Sequence, residues 1–178
     1  MEIFEAHSEE DVEMVHPIDA ADFESLNVKI NGRPQAATWA PVSMKTIRVD
    51  EGRALRETDC PWLGSHALVL RRSAVEAMNE VLRRNGEVLP LRCTTDELFV
   101  FNPTNLVDCL DEEASDAVRF SNGRIMWIRR HVFRTDRLFD IDAFKIPNLR
   151  VSPIYVTDSF VGRWTEVGLT GIRWGRVA

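Results

Sequence analysis

The sequence predicts a single α+β domain, with mixed or mostly antiparallel sheets and a few packed helices. Three observations lead there. Strand–helix–strand order occurs twice, around Ser73 to Leu91 and again from Ile154 to Trp174. Between them, Asn122-Gly123 within FSNGRI is the turn signal of an antiparallel hairpin. Such mixed connectivity fits α+β better than a doubly wound sheet. The chain has 178 residues and is 44% apolar, enough for one domain that buries roughly 70% of its unfolded surface.

Along the chain, Glu2 to Ala6 reads as a strand and Asp19 to Leu26 as a short helix capped by Asp19. Asn27 to Ile30 alternates apolar and polar residues, as a half-buried strand does. Asn31-Gly32 is a turn, Met44 to Val49 a strand, and Glu51-Gly52 its end. A loop through Asp59-Cys60-Pro61-Trp62-Leu63-Gly64 leads to the apolar strand His66 to Leu70.

Ser73 with Glu76 has capping-box spacing. Val75, Met78, Val81 and Leu82 form a helical stripe, and Gly86 stands where a left-handed C-terminal glycine would close that helix. Strands follow at Glu87 to Leu91 and Leu98 to Phe101, the second broken by Asn102-Pro103. The hairpin returns along Ile125 to Phe133, and Phe144 and Ile146 flank Lys145 in two-residue alternation. After the strand Ile154 to Val156, Thr157-Asp158 supplies an N-cap. Phe160, Val161, Trp164 and Val167 form the stripe of a helix stopped by Gly168, and Gly171 to Trp174 returns as a strand. The chain divides at about residue 65. Residues 1–65 form an acidic, β-containing part packed on or continuous with the α+β core at 66–178.

No apolar run approaches the roughly 20 residues that span a bilayer. The acidic start MEIFEAHSEEDVE lacks the basic, apolar character of a signal peptide. Cys60, Cys93 and Cys109 are odd in number and widely spaced, which favours reduced thiols in the cytoplasm over a disulfide framework. No paired Cys or His spacing marks a metal site, and no GxSxG, GxGxxG or GxxxxGK[ST] motif occurs. His131 lies in a strand-like segment without a local catalytic signature. Asp111-Glu112-Glu113 with Asp116 lacks the EF-hand spacing and its glycine. These patterns name no catalytic residue, cofactor or metal.

The net charge of −6 is unevenly placed. Residues 1–26 carry nine acidic residues and neither Lys nor Arg, whereas 61–178 hold 15 acidic and 16 basic residues. An acidic surface repels nucleic acid, whose binding gains affinity by neutralising phosphates, and favours a basic protein partner. The candidate contact residues are therefore Glu9, Glu10, Asp11, Glu13, Asp22 and Glu24. Trp62 joins them because its Pro-containing loop suits an interface anchor. The plainer alternative is that the charges solvate the surface and that tryptophans such as Trp164 belong to the core. Arg71-Arg72 and Arg129-Arg130 read as surface ion-pairing residues.

Several pieces occur in a fixed order: ALVLRRSAVEAM with GEVLPL, FVFNPTNLVDCLDEE, FKIPNL, IYVTDSFV and GLTGIRW. Together they resemble the Imm11 (DUF1629) family of bacterial immunity proteins over roughly 110 residues. Gly32-Arg33-Pro34 and Trp39-Ala40-Pro41 resemble that family's upstream elements more weakly, and residues 1–26 match none of it. The resemblance implies a cytoplasmic, non-enzymatic protein that neutralises a toxin, with nucleases among the toxins concerned, by binding it. The matched residues are structural, so the resemblance assigns no contact residue. The other readings are a small hydrolase-like enzyme without a recognisable motif and a regulatory interaction protein without a toxin. A homo-oligomer stays open.

Overall fold

The computed structural model describes residues 1–149 and 151–178. Its elements run β1 (Ile3–Ser8), β2 (Met14–Pro17), α1 (Ala21–Lys29), β3 (Ser43–Ile47), β4 (Val49–Asp50), β5 (Arg53–Ala54), β6 (Leu68–Arg71), α2 (Arg72–Ala77) and α3 (Asn79–Asn85). They continue with β7 (Gly86–Pro90), β8 (Arg92–Cys93), β9 (Leu98–Pro103), β10 (Asp116–Arg119), β11 (Ile125–Arg130), β12 (Ala143–Phe144), β13 (Tyr155–Thr157), α4 (Asp158–Glu166) and β14 (Ile172–Arg176). This is the α+β class, one domain built of several largely antiparallel sheets with packed helices.

One sheet has the order β12-β13-β1-β14, so the first strand lies between strands from the end of the chain. A second has the order β6-β9-β7. A third, β2-β3-β8, contains the one parallel strand pair among the described residues, β3 with β8. The hairpins β4–β5 and β10–β11 stand apart from these.

Three apolar clusters fill the spaces between them, and strand alternation assigns residues to each. Along β6, Leu68 and Leu70 enter the first cluster, while Ala67 and Val69 enter the second. A strand buried on both faces needs apolar residues at every position, which is why this segment reads as a continuous apolar run. At β13, Ile154 and Val156 belong to the first cluster and Tyr155 to the third. Helix α4 presses Phe160 and Trp164, one turn apart, into the first cluster, where Trp164 meets Trp174 edge-on at 5.4 Å.

The structure corrects several local readings. Asn27 to Ile30 is not a strand. Its first three residues are the last turn of α1, and Leu26 and Ile30, four apart, are both buried while Val28 is exposed. A segment this short fits either period, and packing against β2 and the second cluster chose the helix. Ser73 does not cap a helix, because β6 runs straight into α2 with Arg71 at the N-cap. The Ser73 hydroxyl instead donates to Asp59 at 2.9 Å. The apolar stripe is broken at Met78 into α2 and α3.

Gly86 is extended (φ 172°), not left-handed. Its role is close approach, since a Cβ there would lie 2.2 Å from the Asn102 carbonyl oxygen. Asn102-Pro103 does not end β9, because both residues pair with β7. Asp19 accepts from the Ala21 amide, but the N-cap of α1 is Ala20. Thr157 does occupy the N-cap of α4, yet its hydroxyl donates to Asp142 rather than to the helix. Arg150, at the end of FKIPNLR, lies outside the described residues.

Candidate functional site

Four of the nine acidic residues in 1–26 are met by arginines. Glu9 accepts from Arg56 at 2.6 Å, Asp11 from Arg53 at 3.0 Å, and Glu2 from Arg176 at 2.6 Å. Glu13 is fully buried at 0% exposure. It accepts from Arg71 at 2.6 Å, from Arg48 at 3.2 Å and from the Thr58 amide at 2.9 Å. Arg48 and Arg71 also converge on Asp96, which accepts from Thr46 and Thr95 as well. Burial raises the Asp96 pKa, but the Thr95, Arg71 and Thr46 donors outweigh it and bring the value to about 2.

Glu13 is therefore an internal anchor and not part of an exposed patch. The strand pairing that places it turns its carboxylate inward, toward arginines on β6 and beyond β3. Trp62 is corrected in the same way. It is only half exposed and packs against the first cluster. Its amide donates to the Glu13 carbonyl, and its own carbonyl accepts from Val15. Glu10 and Glu24 remain exposed, and Asp22 is half-buried in the first turn of α1, where the helix dipole favours a carboxylate. Arg71 is interior rather than surface, while Arg72 pairs with Glu97.

The tryptophan that faces solvent most is Trp127 on β11, 47% exposed beside the exposed Met126. The Arg129 guanidinium lies 5.0 Å from its ring. No local signal marked it, because only the sheet topology shows that this strand pairs in a two-stranded hairpin with one face left uncovered.

The groups capable of chemistry are mostly committed to the interior. His131 Nε2 lies 3.0 Å from the hydroxyl of buried Tyr155, its ring is stacked on Phe133, and burial lowers its pKa. Cys60, Cys93 and Cys109 are free thiols. Burial pushes Cys60 far up and Cys109 to about 12, away from the thiolate range. Buried Asn85 binds the amides of Asp142 and Ala143 through its side-chain oxygen. Among the described residues, no three His, Cys, Asp or Glu side chains are grouped to share a metal ion.

Lys145 is the least expected of these groups. It is 1% exposed, and its ammonium donates to the carbonyls of Ile30 (2.7 Å), His66 (2.7 Å) and Ser152 (2.9 Å). Among the described residues no carboxylate neutralises it. Burial pulls its pKa down to about 7. Three carbonyl acceptors call for three N–H donors, and a neutral amine has two, so the hydrogen bonding opposes that fall. Its charge also helps to hold His66 at about 4, after the larger effect of burial.

Two Lys145 acceptors, Ile30 and Ser152, also line an open cavity of about 200 Å³ between the end of α1 and residues 146–149 and 151–152. Leu106, Ile146, Arg33 and Arg124 complete much of its wall. A second lobe of about 270 Å³ shares Asn27, Asn31, Arg124 and Val151 with it and adds Glu24 and Val28. Neither Arg33 nor Arg124 forms an ion pair among the described residues. Gly32 makes the turn between α1 and this wall at φ +88°, with the Leu106 side chain against it.

No helix among the described residues is long and apolar enough to cross a membrane. In comparisons with known proteins, no family model matches the chain and no curated protein matches it.

Proposed function

We propose that the chain is a bacterial immunity protein of the Imm11 kind, which binds a cognate toxin in the cytoplasm and occludes it without catalysing a reaction. The family part of this reading is supported by the ordered segments between His66 and Trp174.

The observation that carries the binding part is Trp127. Four of the five tryptophans are buried or half-buried, while Trp127 is exposed on the outer face of the β10–β11 hairpin, beside Met126 and with the Arg129 guanidinium over its ring. Tryptophan and arginine are the residues most enriched at interface hot spots, and a solvated indole is otherwise a cost to the free protein. The interior commitment of His131, Cys60, Cys109 and Lys145 supports binding over catalysis.

The toxin class stays as the resemblance implies, with a nuclease as one member. The net charge of −6 favours encounter with a basic partner through the long-range field. Glu9, Asp11 and Glu13 are spent on arginines of the same chain, so the remaining acidic contact candidates are Glu10, Asp22 and Glu24.

The test is co-expression with the toxin domain encoded beside this gene. Growth should be rescued, and Trp127→Ala should weaken rescue and raise the Kd of the purified complex roughly 30-fold or more, the hot-spot range. Absence of rescue by the unaltered chain would overturn the reading for that pair.

A further inference from the structure

The groove beside α1 concentrates positive charge in an acidic protein. Arg33 and Arg124 line it, and the Lys145 ammonium lies behind two of its wall residues, Ile30 and Ser152. The one carboxylate on it, Glu24, belongs to the second lobe. The rest of the wall is mixed, apolar from Leu106, Ile146 and Val151 and polar from Asn27, Asn31 and Ser152. We propose that this groove docks a carboxylate side chain of the partner protein, an aspartate or glutamate carried between apolar neighbours.

Three observations choose this occupant. The two lobes, about 200 and 270 Å³, are both open to solvent, which admits a side chain carried on a partner's surface. Arg33 and Arg124 line the groove without an ion pair of their own among the described residues, and a guanidinium binds a carboxylate through charge-assisted hydrogen bonds stronger than neutral ones. Lys145 is locked by its three carbonyls and cannot reach the ligand. Its uncompensated charge still biases the groove toward an anion across a low-dielectric wall. Arg124 directly precedes β11, the strand that carries Trp127. The inference deepens the binding reading: net charge governs approach to a basic partner, and this site governs one local anchor.

The test uses the full chain labelled with nitrogen-15 and two blocked peptides, Gly-Leu-Glu-Leu-Gly and Gly-Leu-Gln-Leu-Gly. The glutamate peptide should shift the amides of Asn31, Arg33, Leu106, Arg124 and Val151. The glutamine peptide should bind about tenfold more weakly, and so should the glutamate peptide on the Arg33→Gln/Arg124→Gln double variant, whose two changes are at exposed sites. Equal binding of both peptides, shifts elsewhere, or no shifts would overturn the proposal. So would inorganic phosphate shifting these amides where the glutamate peptide does not.

A second arm separates this inference from the immunity reading. Where the unaltered chain rescues growth, Arg33→Glu/Arg124→Glu should lose protection. Retained protection would remove the groove and leave immunity standing. If the unaltered chain does not rescue, the immunity reading fails for that toxin, and the peptide titration still decides the groove.

Discussion

Arg71 and Glu13 form an ion pair of 2.6 Å around which three segments of the chain are tied. The carboxylate has no exposure and accepts from Arg48 and the Thr58 amide as well. Glu13→Ala would leave the Thr58 amide without its acceptor and Arg71 with Asp96 as its remaining partner. The lost acceptor and charge-assisted bonds together cost about 2–4 kcal/mol. Urea unfolding should show a loss of that size, whereas Glu10→Ala at an exposed position should stay within about 0.5 kcal/mol. A loss for Glu13→Ala as small as that for Glu10→Ala would remove Glu13 from the interior network.

Lys145 makes a similar forecast by a different route. Lys145→Met keeps the stem but leaves the carbonyls of Ile30, His66 and Ser152 without their donor. Each buried unsatisfied group costs about 1–3 kcal/mol, so a total on the order of 3–5 kcal/mol is expected, at the severe end for one substitution. Thermal or urea unfolding checks it, and an unchanged midpoint would mean the ties carry no stability.

Two glycines should respond oppositely to alanine. At Gly86 the new Cβ would meet backbone at 2.2 Å, with Pro103 Cα at 2.7 Å, so β7 and β9 must separate. Gly86→Ala should destabilise by more than about 2 kcal/mol, as overpacking against atoms that cannot yield does. Gly162 lies in α4 with nothing within 4 Å of a built Cβ and no positive φ. Gly162→Ala should stabilise by about 0.5–1 kcal/mol through helix propensity. Chemical denaturation of the two variants side by side tests both signs.

Acid should weaken the fold in two steps. His66 has its pKa lowered from 6.5 to about 4 by burial and then by Lys145. The unfolded chain therefore binds a proton there before the folded chain does. The stabilisation is present above pH 6.5 and is lost as pH falls through about 4. His131 and His16, both lowered mainly by burial, act in the same direction. Asp96, lowered from 3.8 to about 2, contributes stability above pH 3.8 that is lost as pH falls through about 2. Unfolding free energy measured against pH should fall in both windows. His66→Phe should flatten the upper one, and the His66 ring resonances should not titrate until near pH 4.

Much of the architecture was legible because it is written in short-range patterns. The Asn122-Gly123 turn lies where the β10–β11 hairpin closes, with Gly123 at φ +83°. The stripe of α4 and its stop at Gly168, φ +69°, are where spacing placed them. Errors came where one residue type serves two purposes. Gly86 marks close approach rather than a helix end, and Ser73 serves Asp59 rather than its own helix. Of the candidate contacts, Glu13 looked like any other acid in its run, since nothing local distinguishes a solvated carboxylate from one facing two arginines 35 and 58 residues away.

By itself, then, the sequence determined the α+β class, the Asn122-Gly123 turn, the helix stop at Gly168, and the family pattern it resembles. These follow from periodicity and from backbone conformations that one or two residues set. Only the tertiary structure decided that Glu2, Glu9, Asp11 and Glu13 pair with arginines of the same chain, that Lys145 is buried beneath a cationic groove, and that Trp127 rather than Trp62 faces solvent. Burial and charge compensation depend on which distant segments are brought within a few ångströms, and that is a property of the packed chain.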